Sequence, residues 1–215
     1  MAPALDPKLL DHLRMQGVEV LVERHSPRFQ DLLKRWTDID RQTPAAIILP
    51  ESGGYSQWST IGEHGIIIDL SKYSGISVDA AGRKATLVGS VLSKAVAVAL
   101  AAEGFFTVGA IPYFLGGGAS ITSSITGYGS DQILGARMID ATGKFINVTE
   151  EAEPDLLYAI RGAGQFFGLV TELTIKIRPL KELGNEEGVI WAGVFTFPLH
   201  RARDVALAVE KSGRQ

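Results

Sequence analysis

Apolar positions in this chain come in short runs closed by proline, glycine or aspartate, with helix-like stretches between them. Ala45-Ala46-Ile47-Ile48-Leu49, held between Pro44 and Pro50, has the unbroken apolar pattern of a buried strand, and Ile66 to Leu70 repeats it. Ile76 to Gly89 reads as a hairpin turning at Asp79-Ala80-Ala81-Gly82, and Arg137 to Val148 repeats that design around Asp140-Ala141-Thr142-Gly143. Leu169 to Ile177 alternates as a strand before Pro179. Helical spacing appears after Ser26-Pro27, where Phe29, Leu32, Leu33 and Trp36 share a face behind a serine N-cap and a first-turn proline. Val91 to Glu103 is an alanine-rich helix stopped by Gly104, and Pro154 opens a short helix through Ile160. Beyond a charged linker, Lys181 to Gly188, the pattern predicts one more strand, Val189 to Phe197, and one more helix, Leu199 to Lys211.

Composition narrows the class. A chain of 215 residues with 46% apolar and 21% charged positions can bury a core and fits one or two soluble α/β or α+β units. The net charge of −3 is scattered, with no basic run for nucleic acid or anionic lipid. Without cysteine there is no disulfide, thiolate catalysis or cysteine-bound metal, and His12, His25, His64 and His200 lack metal-ligand spacing. Met1 to Arg24 has no signal-peptide pattern, and no stretch reaches the roughly 18 apolar residues of a membrane span, so a cytoplasmic setting is expected. Asn147-Val148-Thr149 reads as a chance match to the glycosylation pattern within a strand.

The chemistry lies in the glycines. Gly109, Gly116-Gly117-Gly118, Gly127-Tyr128-Gly129 and Gly162-Ala163-Gly164 to Gly168 form ordered clusters, with Ser52-Gly53-Gly54-Tyr55-Ser56 before them. Each could be a tight turn. Three consecutive glycines inside an apolar segment cost conformational entropy, however, and suit a backbone approached closely by a ligand. The dinucleotide pattern Gly-x-Gly-x-x-Gly fails at Gly116, which argues against a nicotinamide-binding protein, and Gly82-Arg83-Lys84-Ala85 is no phosphate loop.

Taken together, these clusters resemble the FAD-binding domain of the p-cresol methylhydroxylase (vanillyl-alcohol oxidase) family, in particular its berberine bridge enzyme-like branch, over Trp36 to Pro179. The resemblance implies an α+β fold: a PCMH-type FAD-binding domain of two α/β subdomains at 26–180, after an N-terminal segment at 1–25. Residues 181–215 would be a linker and the first strand and helix of a shortened substrate domain. It implies FAD contacts from Gly53, Gly54, Tyr55 and Ser56 at the pyrophosphate, from Val108, Gly109, Gly116, Gly117, Gly118, Tyr128 and Gly129 on the flavin side, and from Gly168 and Val170 beside the cofactor. The implied activity is oxidation of a small-molecule alcohol or amine, with hydride passing to flavin N5 and electrons on to dioxygen. A catalytically inactive FAD-binding remnant or isoform is the alternative. No catalytic residue is assigned: Tyr128 either approaches the flavin ring or packs. Arg161, in the Pro154-Asp155-Leu156…Arg161-Gly162 signature, is either structural or a phosphate-side charge.

Departures from the family pattern carry their own expectations. Tyr55 stands where many relatives attach the flavin to histidine, and there is no cysteine for a second bond, so FAD should be non-covalent. The chain is shortened near 51–53 and again near 106–108, and Glu51 puts a negative charge beside the pyrophosphate loop where relatives place a basic residue. Both weaken the implied site. The unfinished, uncharged strand at 189–197 is expected to drive self-association.

Overall fold

The computed structural model describes residues 6–34, 42–49, 61–185, 188–190, 193–194 and 196–212. Three sheets form among these residues, and the two larger, of three and five strands, each have a buried cluster.

The three-stranded sheet gathers the first elements. Helix α1 (Pro7–Met15) starts at Asp6, whose carboxylate accepts the Lys8 N–H at 2.9 Å. It leads to β1 (Glu19–Leu21). Helix α2 (Pro27–Leu32) has the expected cap, the Ser26 hydroxyl accepting the Phe29 N–H at 3.3 Å. Then follow β2 (Ala46–Leu49) and β3 (Ile66–Ile68). Strand β2 lies in the middle, antiparallel to β1 with Glu19 opposite Leu49 and parallel to β3 with Ala46 opposite Ile66. All four of its residues are buried, which is why its apolar run is unbroken rather than alternating. Phe29 and Leu33 of the α2 segment close the cluster against Ile47 and Leu49.

The larger body follows. Its elements are β4 (Ser74–Asp79), β5 (Lys84–Gly89), α3 (Ser93–Ala102), β6 (Phe105–Phe106), α4 (Ile111–Leu115), α5 (Ser123–Thr126), β7 (Ile133–Ile139), β8 (Phe145–Val148), α6 (Pro154–Ala163), β9 (Leu169–Lys176) and β10 (Arg178–Pro179). Five strands form an antiparallel sheet in the order β4-β5-β9-β7-β8, while β10 pairs only with β6. Both predicted hairpins are present. Asp79 accepts the Gly82 N–H at 2.8 Å, and Asp140 accepts those of Thr142 and Lys144 at 2.8 and 2.9 Å, the local side-chain bonds that make aspartate a turn former. Strand β9 enters between the two hairpins, with Thr86 opposite Thr174 and Ala136 opposite Leu173. Alternation along β5 sends Ala85 and Leu87 inward against Val96 and Leu100 of α3, and Thr86 outward to the Thr174 hydroxyl at 3.3 Å.

One predicted element, the strand at 189–197, is not formed by the described residues of its stretch. Val189, Ile190, Gly193, Val194, Thr196 and Phe197 are irregular, not a strand. High β propensity does not supply a ladder partner, and none lies alongside among the described residues. Asn185 fastens the start of this segment instead, its amide nitrogen donating to the Val189 carbonyl at 2.6 Å and its oxygen accepting the Val189 N–H at 3.0 Å. The predicted helix after it exists as α7 (Ala202–Ser212), with no buried residue.

Candidate FAD site

Tyr113, in the middle of α4, organises the glycine clusters. Ideal Cβ atoms built on Gly109, Gly118 and Gly129 would lie 2.4, 2.5 and 2.6 Å from atoms of its ring, so none of the three positions admits a side chain while the ring is there. Phe114 holds the ring edge-on, with centroids 5.3 Å apart at 89°. The helix is short because Pro112 occupies its first turn and Gly116 ends it.

Around this ring two loops run side by side. Gly129 donates its N–H to the Gly118 carbonyl at 2.8 Å, and Ser130 donates to Gly117 at 2.9 Å. Gly118 at φ +70° sits so close to Gly129 that only paired glycines permit the approach. Gly117 differs. At φ +99° it has no atom within 4 Å of an ideal Cβ, which leaves its backbone open on one side. Beneath these loops lies Gln132, only 2% exposed, donating to the Tyr128 carbonyl and accepting from the Thr107 hydroxyl, both at 3.4 Å. Sequence reading missed Tyr113 and Gln132; the glycines spaced around Pro112-Tyr113 were the only signal of a closely packed ring.

The other expected residues divide by position. Val108 and Gly109 enter α4 beside Gln132's partner Thr107. Tyr128 is 59% exposed and so does not pack. Its N–H is held by the Asp131 carboxylate at 2.9 Å, which aims the loop. Gly168 lies at the far end of β7, where an ideal Cβ would come within 2.3 Å of the Ile139 carbonyl oxygen. Close strand packing therefore demands glycine there whether or not a ligand does. Val170 is buried in the core and can offer a ligand only its backbone. Gly53, Gly54, Tyr55, Ser56 and Glu51 lie outside the described residues.

Titratable groups at the described part of the site are few. Away from it, burial, with the Glu172 carboxylate beside it, pushes the Tyr73 hydroxyl up from its ordinary value. Tyr73 donates to Glu172 at 3.2 Å and Arg137 to the same carboxylate at 2.6 Å. Among the described residues no cluster of histidine, aspartate and glutamate could hold a metal.

A family model for the FAD binding domain matches residues 41–149, just over half of the chain. The chain belongs to that family. The match contains the Tyr113 loops and both hairpins and ends ahead of β9. Curated relatives of this FAD-binding domain include (R)-6-hydroxynicotine oxidase of Paenarthrobacter nicotinovorans, 32% identical over 66% of the chain and 32% of the relative. An FAD-linked oxidoreductase of Aspergillus terreus is 31% identical over 68% of the chain and 30% of its own length. Among solved structures, 6-hydroxy-D-nicotine oxidase from Arthrobacter nicotinovorans superimposes with a TM-score of 0.69 at 27% identity, over 75% of this chain and 42% of that one. Berberine bridge enzyme-like 1 of Physcomitrella patens gives 0.72 at 20% identity, over 80% and 45%, which shows the shared fold. The α+β, PCMH-type architecture is thus that of FAD-linked oxidoreductases, several of them oxidases. The chain spans about a third of the length of the first two curated relatives.

The described residues fit the cofactor. The cluster joins an open glycine backbone at Gly117, a ring clasped by three glycines and a buried tyrosine hydroxyl without a partner. Such a surface accepts a flat, polar-edged ligand rather than a bulky apolar one.

Proposed function

We propose that this chain is the cofactor-holding part of an FAD-dependent oxidase acting on a small-molecule alcohol or amine. One observation carries the choice of an elongated dinucleotide. The residues assigned to the cofactor fall at the two ends of β7: the Gly117-Gly118/Gly129 loops by Ile133, and Gly168-Leu169 by Ile139. Seven residues of strand separate those ends by roughly 20 Å, a span suited to an extended dinucleotide.

In this reading Gly117 and Gly118 line the flavin end, Tyr128 projects beside it, and Gly168, Leu169 and Val170 offer backbone at the other end. FAD, when bound, supplies the two-electron acceptor, and dioxygen is the proposed oxidant that regenerates it. The chain's own part is to bind, orient and keep water from the buried side of the ring. Attachment is proposed as non-covalent, on the ground of Tyr55 and the absence of cysteine. A cytoplasmic setting is proposed too; no described helix is long and apolar enough to cross a membrane. Self-association is proposed through the segment after Gly188, where Val194 is 93% exposed and Phe197 53%. A second reading, favoured by the shortening near 51–53 and 106–108, is a catalytically inactive FAD-binding remnant or isoform that holds FAD without turning over substrate.

Reconstitution with FAD, desalting and acid precipitation test this. Flavin bands that survive desalting and then leave with the supernatant are expected, with peroxide release on offering alcohols and amines. Bands without peroxide select the second reading. No retained flavin at saturating FAD overturns both.

A further inference from the structure

The hydroxyl of Tyr113 is buried and forms no hydrogen bond. Leaving a buried hydroxyl unpaired is costly, so folded proteins rarely keep one without a purpose. Among the described residues, those packed round the ring give the hydroxyl no bond. Gly109, Gly118 and Gly129 clasp the ring, Phe114 stands against it edge-on, and the Gln132 amide is engaged by Tyr128 and Thr107. The hydroxyl end of the ring lies towards Gly118, whose ideal Cβ would sit 2.8 Å from the ring's Cζ. That glycine adjoins the open backbone of Gly117.

We infer that Tyr113 is a cofactor-positioning residue whose hydroxyl donates a hydrogen bond to an oxygen or ring nitrogen of bound FAD. The inference rests on the FAD-binding reading above and adds a contact which that reading did not include. Three glycines hold the phenol rigid, so the donor is set before the cofactor arrives and little rotamer entropy is lost on binding. The fold leaves the hydroxyl unpaired in the free protein, and the cofactor completes it.

Tyr113→Phe tests this because it deletes the hydroxyl and keeps the ring. FAD affinity is read from quenching of flavin fluorescence, and thermal unfolding is followed with and without FAD. In the free protein the variant should unfold at the same temperature as the parent chain or higher, since a desolvated, unpaired group is gone. Its FAD dissociation constant should rise roughly threefold to tenfold, and the stabilisation by FAD should shrink accordingly. A lower unfolding temperature in the free variant overturns the inference, because the hydroxyl would then have a partner in the protein or in a structural water. Unchanged FAD affinity overturns it also. Failure of the parent chain to bind FAD overturns this inference and the proposed function together, whereas binding unaffected by the substitution removes the Tyr113 contact alone.

Discussion

Arg161 donates two hydrogen bonds from one guanidinium to a single acceptor, the carbonyl oxygen of Ile133, from Nε at 3.2 Å and from Nη2 at 2.8 Å. The contact fastens the end of α6 to the start of β7 where the helix breaks, with Arg161 at ψ 75° and Gly162 at φ +113°. Glu150 adds a distant ion pair at 4.0 Å. Of the two roles open to this arginine, the structural one is what the geometry supports.

Arg161→Lys should therefore destabilise the fold, since an ammonium cannot give two parallel bonds to one carbonyl. A loss of about 1–2 kcal/mol in urea unfolding is expected for a half-buried charged donor pair. FAD affinity should change little; a loss of binding with unchanged stability would restore the phosphate-side role.

Gly129→Ala places a methyl 2.6 Å from the Tyr113 ring and 3.2 Å from the Gly118 Cα, with a backbone that alanine otherwise accepts. Overpacking of this kind costs about 1–3 kcal/mol. In a Tyr113→Ala background the same change should cost much less, and the double-mutant cycle measures the coupling. Additive losses would mean that the ring is not what Gly129 accommodates.

Glu19 ties the three-stranded sheet to Lys72 at 2.9 Å and to Arg28 at 3.4 Å. The Lys72 hydrogen bond, aided by Arg28 and opposed by burial, holds its carboxyl below the ordinary value of 4.5. A depressed carboxyl stabilises the fold above its unfolded value, and that contribution disappears as pH falls through the lower folded value. Glu19→Gln should thus be less stable than the parent at about pH 7, by roughly 0.5–1 kcal/mol, and indistinguishable from it in strong acid. Urea midpoints at the two pH values decide it; a gap that persists in acid excludes the ion pair as its source.

Glu51→Lys should strengthen FAD binding by on the order of 1 kcal/mol if the charge lies near the pyrophosphate and is partly exposed. A titration in which the variant binds no better removes charge repulsion from the account.

Val194→Lys should raise solubility without altering FAD affinity, because the residue is 93% exposed and lies outside the glycine clusters. A parent chain that elutes as a stable monomer in size-exclusion chromatography argues against self-association here.

Much of the fold could be read from local chemistry. The two hairpins announced themselves by Asp…Gly turns, and α2 by Ser26-Pro27, because each of these devices acts within four residues. The same logic applied at Asp6-Pro7 would have found α1, whose cap is of the same kind. Helix α4 was hidden inside a stretch read as ligand loop, although Pro112 marks its first turn. At 189–197 side-chain preference was present, but the described residues there form no strand and no pairing partner lies among the described residues. At the site, glycine spacing marked the right loops. It could not disclose the aromatic ring that Gly109, Gly118 and Gly129 surround, because that packing joins residues brought together only by folding.

The two larger sheets keep separate interiors: Phe29, Leu33, Ile47 and Leu49 in one, and the larger cluster built on β5, β7 and β9 in the other. Cooperativity between them is therefore limited to whatever surface they share, and the smaller interior has far less apolar area to resist opening. On heating or in mild denaturant it should act as the weaker foldon, exchanging its amides while β5, β9 and β7 remain protected. A ligand that grips both bodies would knit the two transitions into one. Hydrogen exchange would then register FAD most strongly at β1, β2 and β3, where the free protein is least protected.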